Sequence, residues 1–208
     1  MGIRLNSPAG GYVELDAPTA AAGNNTLRMP TSNGSAGQTL NTDGAGNLSF
    51  GSSIVSGTAQ NSTSGTNIDF TGIPSWAKRV TVMFNGVSTS GTANIRIQIG
   101  AGSITSSGYV GAATNTQNAN ATNGVAYLGG GFDLTNNTAT VVQHGSLKIH
   151  NFTGNTWVAD GVFSRTGAAN GADFTAGYVT LSGTLDRVRI TTTGTDTFDA
   201  GSINILYE

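Results

Sequence analysis

The residues of this chain that could do chemistry are few: nine aspartates, two glutamates and two histidines in 208 residues, with no cysteine. The reaction such a set could best support is glycan cleavage, which needs two carboxylates across a scissile bond, one of them usually with a raised pKa. Most of the aspartates stand beside Gly, Thr or Asn in expected turns. Asp160, inside Trp157-Val158-Ala159-Asp160-Gly161, is the best single candidate because aromatic neighbours could desolvate it. A lone carboxylate is weak ground for catalysis, and a turn or edge position is the favoured reading for it. His144 and His150 flank Gly145-Ser146-Leu147-Lys148-Ile149, a spacing that places both on the same face of one strand. A metal needs three or four ligands, and only a three-fold axis could multiply one of these histidines, so exposed or hydrogen-bonded side chains are the better reading. Asp43 and Asn47, in a glycine loop, resemble a calcium loop only faintly and suit a hairpin turn. Gly129-Gly130-Gly131 is followed by no helix and so does not cradle phosphate in the usual way. No catalytic residue, metal or cofactor is expected.

Trp76, Tyr109, Trp157 and Phe163 could act as stacking platforms for sugars. Trp157 and Phe163 lie on alternating runs and read as core. Trp76 and Tyr109 fall in expected loops and are the candidate binding residues. Asn-x-Ser/Thr triplets such as Asn61-Ser62-Thr63 and Asn151-Phe152-Thr153 follow from the composition, and imply glycosylation only in a secreted eukaryotic protein.

The elements that must position these residues are strands. Thirty-one glycines with abundant Thr, Ser and Asn make a poor helix former and a good source of short strands and tight turns. From Asn137 to Glu208, alternating apolar runs follow one another: Leu147-Lys148-Ile149, Trp157-Val158-Ala159 with Val162-Phe163, Tyr178-Val179-Thr180-Leu181, Val188-Arg189-Ile190 and Ile203-Asn204-Ile205-Leu206-Tyr207. Period two gives each run one face to bury. The closing run is expected inside a sheet, with Ile203, Ile205 and Tyr207 on one face. Upstream lie Ile68-Asp69-Phe70, Lys78 to Phe84 and Ile95 to Ile99, whereas Gly100 to Asn123 reads as a long loop or weak edge strand. Tyr127-Leu128 and Phe132-Asp133-Leu134 resume the sheet. The expectation is nine to eleven strands without a helix over residues 52–208, a β-sandwich of jelly-roll kind.

Charge narrows the partners. Charged residues are 10% of the chain and the formal net charge is −2, so no basic patch is offered to nucleic acid. No apolar run reaches the ~18 residues of a membrane span, and the polar amino terminus lacks the pattern of a signal peptide. The expectation is a protein made in a cytoplasm that reaches any outer location without secretion.

Residues 1–51 read as a separate segment. Ile3-Arg4-Leu5 and Tyr12-Val13-Glu14-Leu15 flank the turn formers Asn6 to Gly11, and after the small-residue link from Pro18 to Gly23 come Leu27-Arg28-Met29-Pro30, Thr39-Leu40 and Leu48-Ser49-Phe50. Ile3, Leu5, Tyr12, Val13, Leu15, Leu27, Met29, Leu40, Leu48 and Phe50 are too few and too spread to enclose a core, since even a ~60-residue domain is marginal. Their alternation is too regular for a disordered leader, so they are the candidate trimerisation residues, with three copies closing the core together.

The stretch Gly2 to Gly11 with Val13 and Leu15, then Asn25 to Pro30, Gly37-Gln38-Thr39-Leu40 and Thr42 to Phe50, resembles the repeated module of fibre and virion structural proteins of tailed bacteriophages, marine and cyanophage-like ones especially. The closing Ala200 to Glu208 is similar to the last strand of such proteins. The resemblance implies an intertwined homotrimer that anchors a distal domain to a virion and contacts other virion proteins, with no shared catalytic residues. It makes the expected function a non-enzymatic tail-fibre appendage whose sandwich meets a host-surface glycan. A capsid-bound head fibre or decoration protein is the alternative, and a glycan-cleaving appendage the remoter one.

Overall fold

The computed structural model describes residues 3–6, 8–10, 12–15, 26–117, 122–127, 129–136, 138–167 and 170–208, and for 3–6, 12–15 and 122–127 the backbone alone. The small-residue link from Pro18 to Gly23, and Leu128 of the expected Tyr127-Leu128 run, lie outside the described residues. Among the described residues there is no helix, and the strands pair antiparallel throughout. The chain divides into two units, Met1–Ser53 and Ile54–Glu208.

The first unit holds two hairpins. Strands β1 (Ile3–Asn6) and β2 (Tyr12–Leu15) pair with Ile3 opposite Leu15 and Leu5 opposite Val13. Strands β3 (Thr39–Thr42) and β4 (Leu48–Gly51) pair with Leu40 opposite Phe50 and Thr42 opposite Leu48, which sets the three apolar side chains on one face. Asp43 makes the second turn: its carboxylate accepts the backbone N–H of Ala45 at 2.8 Å and of Asn47 at 3.1 Å, and also the Asn47 amide. Those bonds hold its pKa below the ordinary carboxylate value, the Asn47 side chain most of all. Gly46 has φ +88, and a Cβ there would stand 2.0 Å from the Thr26 carbonyl, so only glycine lets residues 26–28 close over the turn. None of the described side chains from 26 to 53 is buried.

In the second unit the strands are β5 (Val55–Ser56), β6 (Gln60–Asn61), β7 (Asn67–Thr71), β8 (Arg79–Thr89), β9 (Ile95–Ala101), β10 (Ser103–Ile104), β11 (Val110–Gln117), β12 (Thr122–Tyr127), β13 (Phe132–Leu134), β14 (Val142–Thr153), β15 (Thr156–Thr166), β16 (Gly171–Thr180), β17 (Arg187–Thr192) and β18 (Phe198–Tyr207). A large sheet runs in the order β12-β11-β16-β15-β14-β8-β18-β5, with β6 also on β18. A small sheet runs β10-β9-β17-β7, with β13 also on β9. The alternation read from the sequence supplies the core between them, giving a sandwich-like fold. Val80, Val82, Leu147, Ile149, Phe163, Ile203 and Ile205 come from the large sheet, and Ile68, Ile95, Ile97, Ile99, Val188 and Ile190 from the small one. Phe84 meets Phe163 edge to face at 5.1 Å.

Strand β18 lies inside the large sheet, between β8 and the short β5 and β6. Its end is tied in as well: Arg79 and Glu208 exchange both backbone hydrogen bonds, 2.8 and 3.0 Å, and form a side-chain ion pair. Within the stretch from Gly100 to Asn123, expected as a loop or weak edge strand, the described residues hold β10, β11 and the start of β12. Strand β11 pairs over its whole length with β16, from Val110–Tyr178 to Gln117–Gly171, and β12 forms the edge. Ala113 and Asn115 point inward and Ala112 and Thr116 outward, an alternation of small side chains with little hydropathy contrast.

Candidate functional site

The two aromatic binding candidates part company. Trp76 is 52% exposed and leans on Tyr207 at 5.7 Å, so one face of its indole is free to stack. Tyr109 is 3% exposed, packed edge-on against Phe132 at 5.0 Å, and its hydroxyl accepts the Ile99 N–H at 2.8 Å. It is a core residue with a satisfied hydroxyl, whose pKa burial pushes up to about 12, and not a sugar platform. Trp157 and Phe163 are buried, as their runs indicate.

Asp160 is neither in a turn nor at an edge: it sits mid-strand in β15, in the middle of the large sheet. Its side chain is 67% exposed on the outer face, so the Trp157 ring, on the inner face, does not desolvate it. Across the strands its partners are Lys148 and Ala176, and the His150 imidazole stands 4.0 Å from its carboxylate. His144 and His150 both lie on β14, alternating away from buried Gln143, Leu147 and Ile149; His144 Nδ1 accepts the Gly86 N–H at 3.1 Å. Among the described residues no cluster of three His, Cys, Asp or Glu could hold a metal. Two of the glycine triplet lie against Arg96: a Cβ on Gly130 would stand 2.6 Å, and one on Gly131 2.5 Å, from its side chain. That space lets Arg96 pair two-pronged with Asp133, at 2.7 and 2.9 Å.

Of the candidate trimerisation residues, Leu27 and Met29 are 68% and 71% exposed, Leu40 is exposed, and Leu48 and Phe50 are half-buried. The side chains of Ile3, Leu5, Tyr12, Val13 and Leu15 lie outside the described part of the structure. A groove of about 720 Å³ runs beside this cluster, lined by Arg28, Met29, Pro30, Gln38, Leu48 and Phe50.

Two features escaped sequence reasoning. One is a sealed polar cluster on the inner face of the large sheet, where Asp173 receives hydrogen bonds from Thr135 and from Gln143, the latter at 3.0 Å, and faces Arg165. Asn115 in turn donates to Thr135 at 2.6 Å. The signal was available: Arg165 falls in phase with Trp157 and Phe163, and Asp173 in phase with Val179, so opposite charges occupy the buried phase of neighbouring strands. The other is the outer face of the same sheet. Val158 pairs Tyr178 and Val162 pairs Phe174, and on the far side of β16, Val110 faces Tyr178 and Ala112 faces Ala176. All of these side chains but Val110 line two shallow depressions of about 620 and 520 Å³ on either side of Asp160. Here too there was a signal, since Val158 and Val162 put large apolar side chains in the phase of β15 opposite to Trp157 and Phe163.

The fold and these surfaces define an all-β, sandwich-like protein with an exposed apolar sheet face and a small unit that encloses no described core. No family, curated protein or solved structure matches the chain.

Proposed function

We propose that this chain is a non-enzymatic structural appendage of a bacteriophage virion, of tail-fibre type. Its first unit assembles a homotrimer and joins other virion proteins, and its sandwich domain is presented to the host surface. The observation that carries the reading is that residues 26–53 fold into a defined hairpin without burying a single side chain, with Leu27, Met29 and Leu40 exposed and Met29 lining an open groove. An isolated hairpin is marginal in water, and copies that fill one another's grooves supply the burial it lacks, at about 25 cal/mol per Å². In the sandwich, the chain crosses between the sheets from β7 to β8, β8 to β9, β16 to β17 and β17 to β18, which supports a jelly-roll-like winding. Trp76 is the residue assigned to a host glycan. The non-enzymatic part rests on Asp160, which stands on an open face with a lysine and an alanine as its cross-strand partners. Sedimentation of the full chain tests the reading: a trimer is expected, and a monomer at micromolar concentration would overturn it. Labelling intact virions then separates a tail fibre from a head decoration.

A further inference from the structure

We infer that the outer face of the large sheet, over β11, β16, β15 and the end of β14, is an interface with a second copy of this chain. The inference goes beyond the virion reading and does not need it. Val110, Phe152, Val158, Val162, Phe174 and Tyr178 are all exposed on this face. Together they leave roughly 600 Å² of apolar surface open, the upper end of what a monomer carries. With the residues set among them the face reaches on the order of 800 Å², about what each partner gives to a stable interface.

The opposite outer face of the same sandwich shows what this chain does with a surface meant for water. There Arg189 pairs two-pronged with Asp69, both bonds 2.7 Å, Arg187 pairs with Asp186, and Arg96 with Asp133. A chain with 10% charged residues has placed three of its nine cations there and left valines and aromatics on the other side.

A second copy fits this face for two reasons. Large apolar cores with few charges characterise permanent contacts between identical chains more than transient ones with foreign partners. The charges present are also self-complementary. Lys148 and Asp160 are cross-strand neighbours, yet Lys148 makes no ion pair among the described residues. A copy laid on this face brings its own Lys148 and Asp160, so each chain can satisfy the other's charges.

The absence of cysteine makes the test direct. Single cysteines are placed in the full chain at Val162 on this face, at Val158 as a second probe, and at Thr71, exposed on the small sheet, as control. Purified protein is treated with a maleimide, then separately with a short bismaleimide, with sedimentation run on each sample. Because the purified chain meets only itself, V162C and V158C should react at least about ten-fold more slowly than T71C, with rates converging in denaturant, as for any site that must open to react. Bismaleimide should join V162C chains to one another. Labelling as fast as the control would overturn the inference and leave the face to a foreign protein or glycan. Protection that persists at a dilution where the chain sediments as a monomer would overturn it too, by assigning the cover to the chain's own first unit. A trimer in which V162C labels freely would discard this interface while leaving the assembled appendage standing.

Discussion

Arg165 and Asp173 face each other inside the sandwich, Nη1 3.5 Å from Oδ1, with both side chains closed to solvent. Burial pushes the Asp173 carboxyl up from 3.8 to about 6, against the hydrogen bond from Thr135 and the attraction of Arg165. A carboxyl whose folded pKa lies above its unfolded value holds its proton more tightly in the folded state. Its contribution to stability is therefore complete below pH ~4 and is lost as pH rises through ~6. A shift of about two units corresponds to about 3 kcal/mol at most. Urea denaturation of the wild type and of Asp173→Asn at pH 4, 5, 6 and 7 reads this as a difference. The variant's amide does not titrate, so its deficit relative to the wild type should be largest at pH 4, where the wild-type carboxyl holds its proton, and the gap should narrow as pH rises. A gap that widened with pH would show Asp173 ionised and stabilising.

Ile205 is buried on β18, and the strand joins β8 to β5 and β6. Ile205→Ala should cost about 2–5 kcal/mol in a denaturant titration. A chain ending at Ser202 loses the pairings of Ile203 to Tyr207 with β8 and should lack a cooperative thermal transition by circular dichroism.

Tyr109 and Trp76 should respond in opposite ways. Tyr109→Phe strands the Ile99 N–H in the core and should cost about 1–3 kcal/mol, with glycan retention unchanged. Trp76→Ala touches an exposed ring and should change stability by less than about 1 kcal/mol while abolishing retention on an array of host-surface glycans. Equal retention by wild type and Trp76→Ala would move the receptor contact elsewhere.

Leu27, Met29 and Leu40 stand exposed, so the proposed assembly is where their removal should be felt. Replacing all three with Asp should leave the melting of the sandwich within about 1 kcal/mol of wild type, as exposed substitutions do. The same change should weaken the trimer so that sedimentation becomes concentration-dependent in the micromolar range. An unchanged trimer would place the association wholly in the second unit.

What the sequence determined by itself was the all-β class and the identity of the long strands. Where large apolar residues recur every second position, as in Val80 to Phe84, Ile95 to Ile99 and Ile203 to Ile205, one phase has to be buried and no other period fits. The turn at Asp43 was legible too, because an Asp-Gly-x-Gly-Asn stretch carries its own hydrogen bonds. Only the tertiary structure could decide what lacks that contrast. Strand β11 is built of Ala, Thr, Asn and Gly, and it exists because β16 offers a matching row of backbone groups. Tyr109 looks like a loop residue until the small sheet supplies Ile99 and Phe132 around it. Asp160, Lys148, Val158 and Val162 lie on three-dimensional neighbours of one sheet face, and whether an apolar face meets water or protein depends on what is brought against it, which no periodicity within one chain encodes.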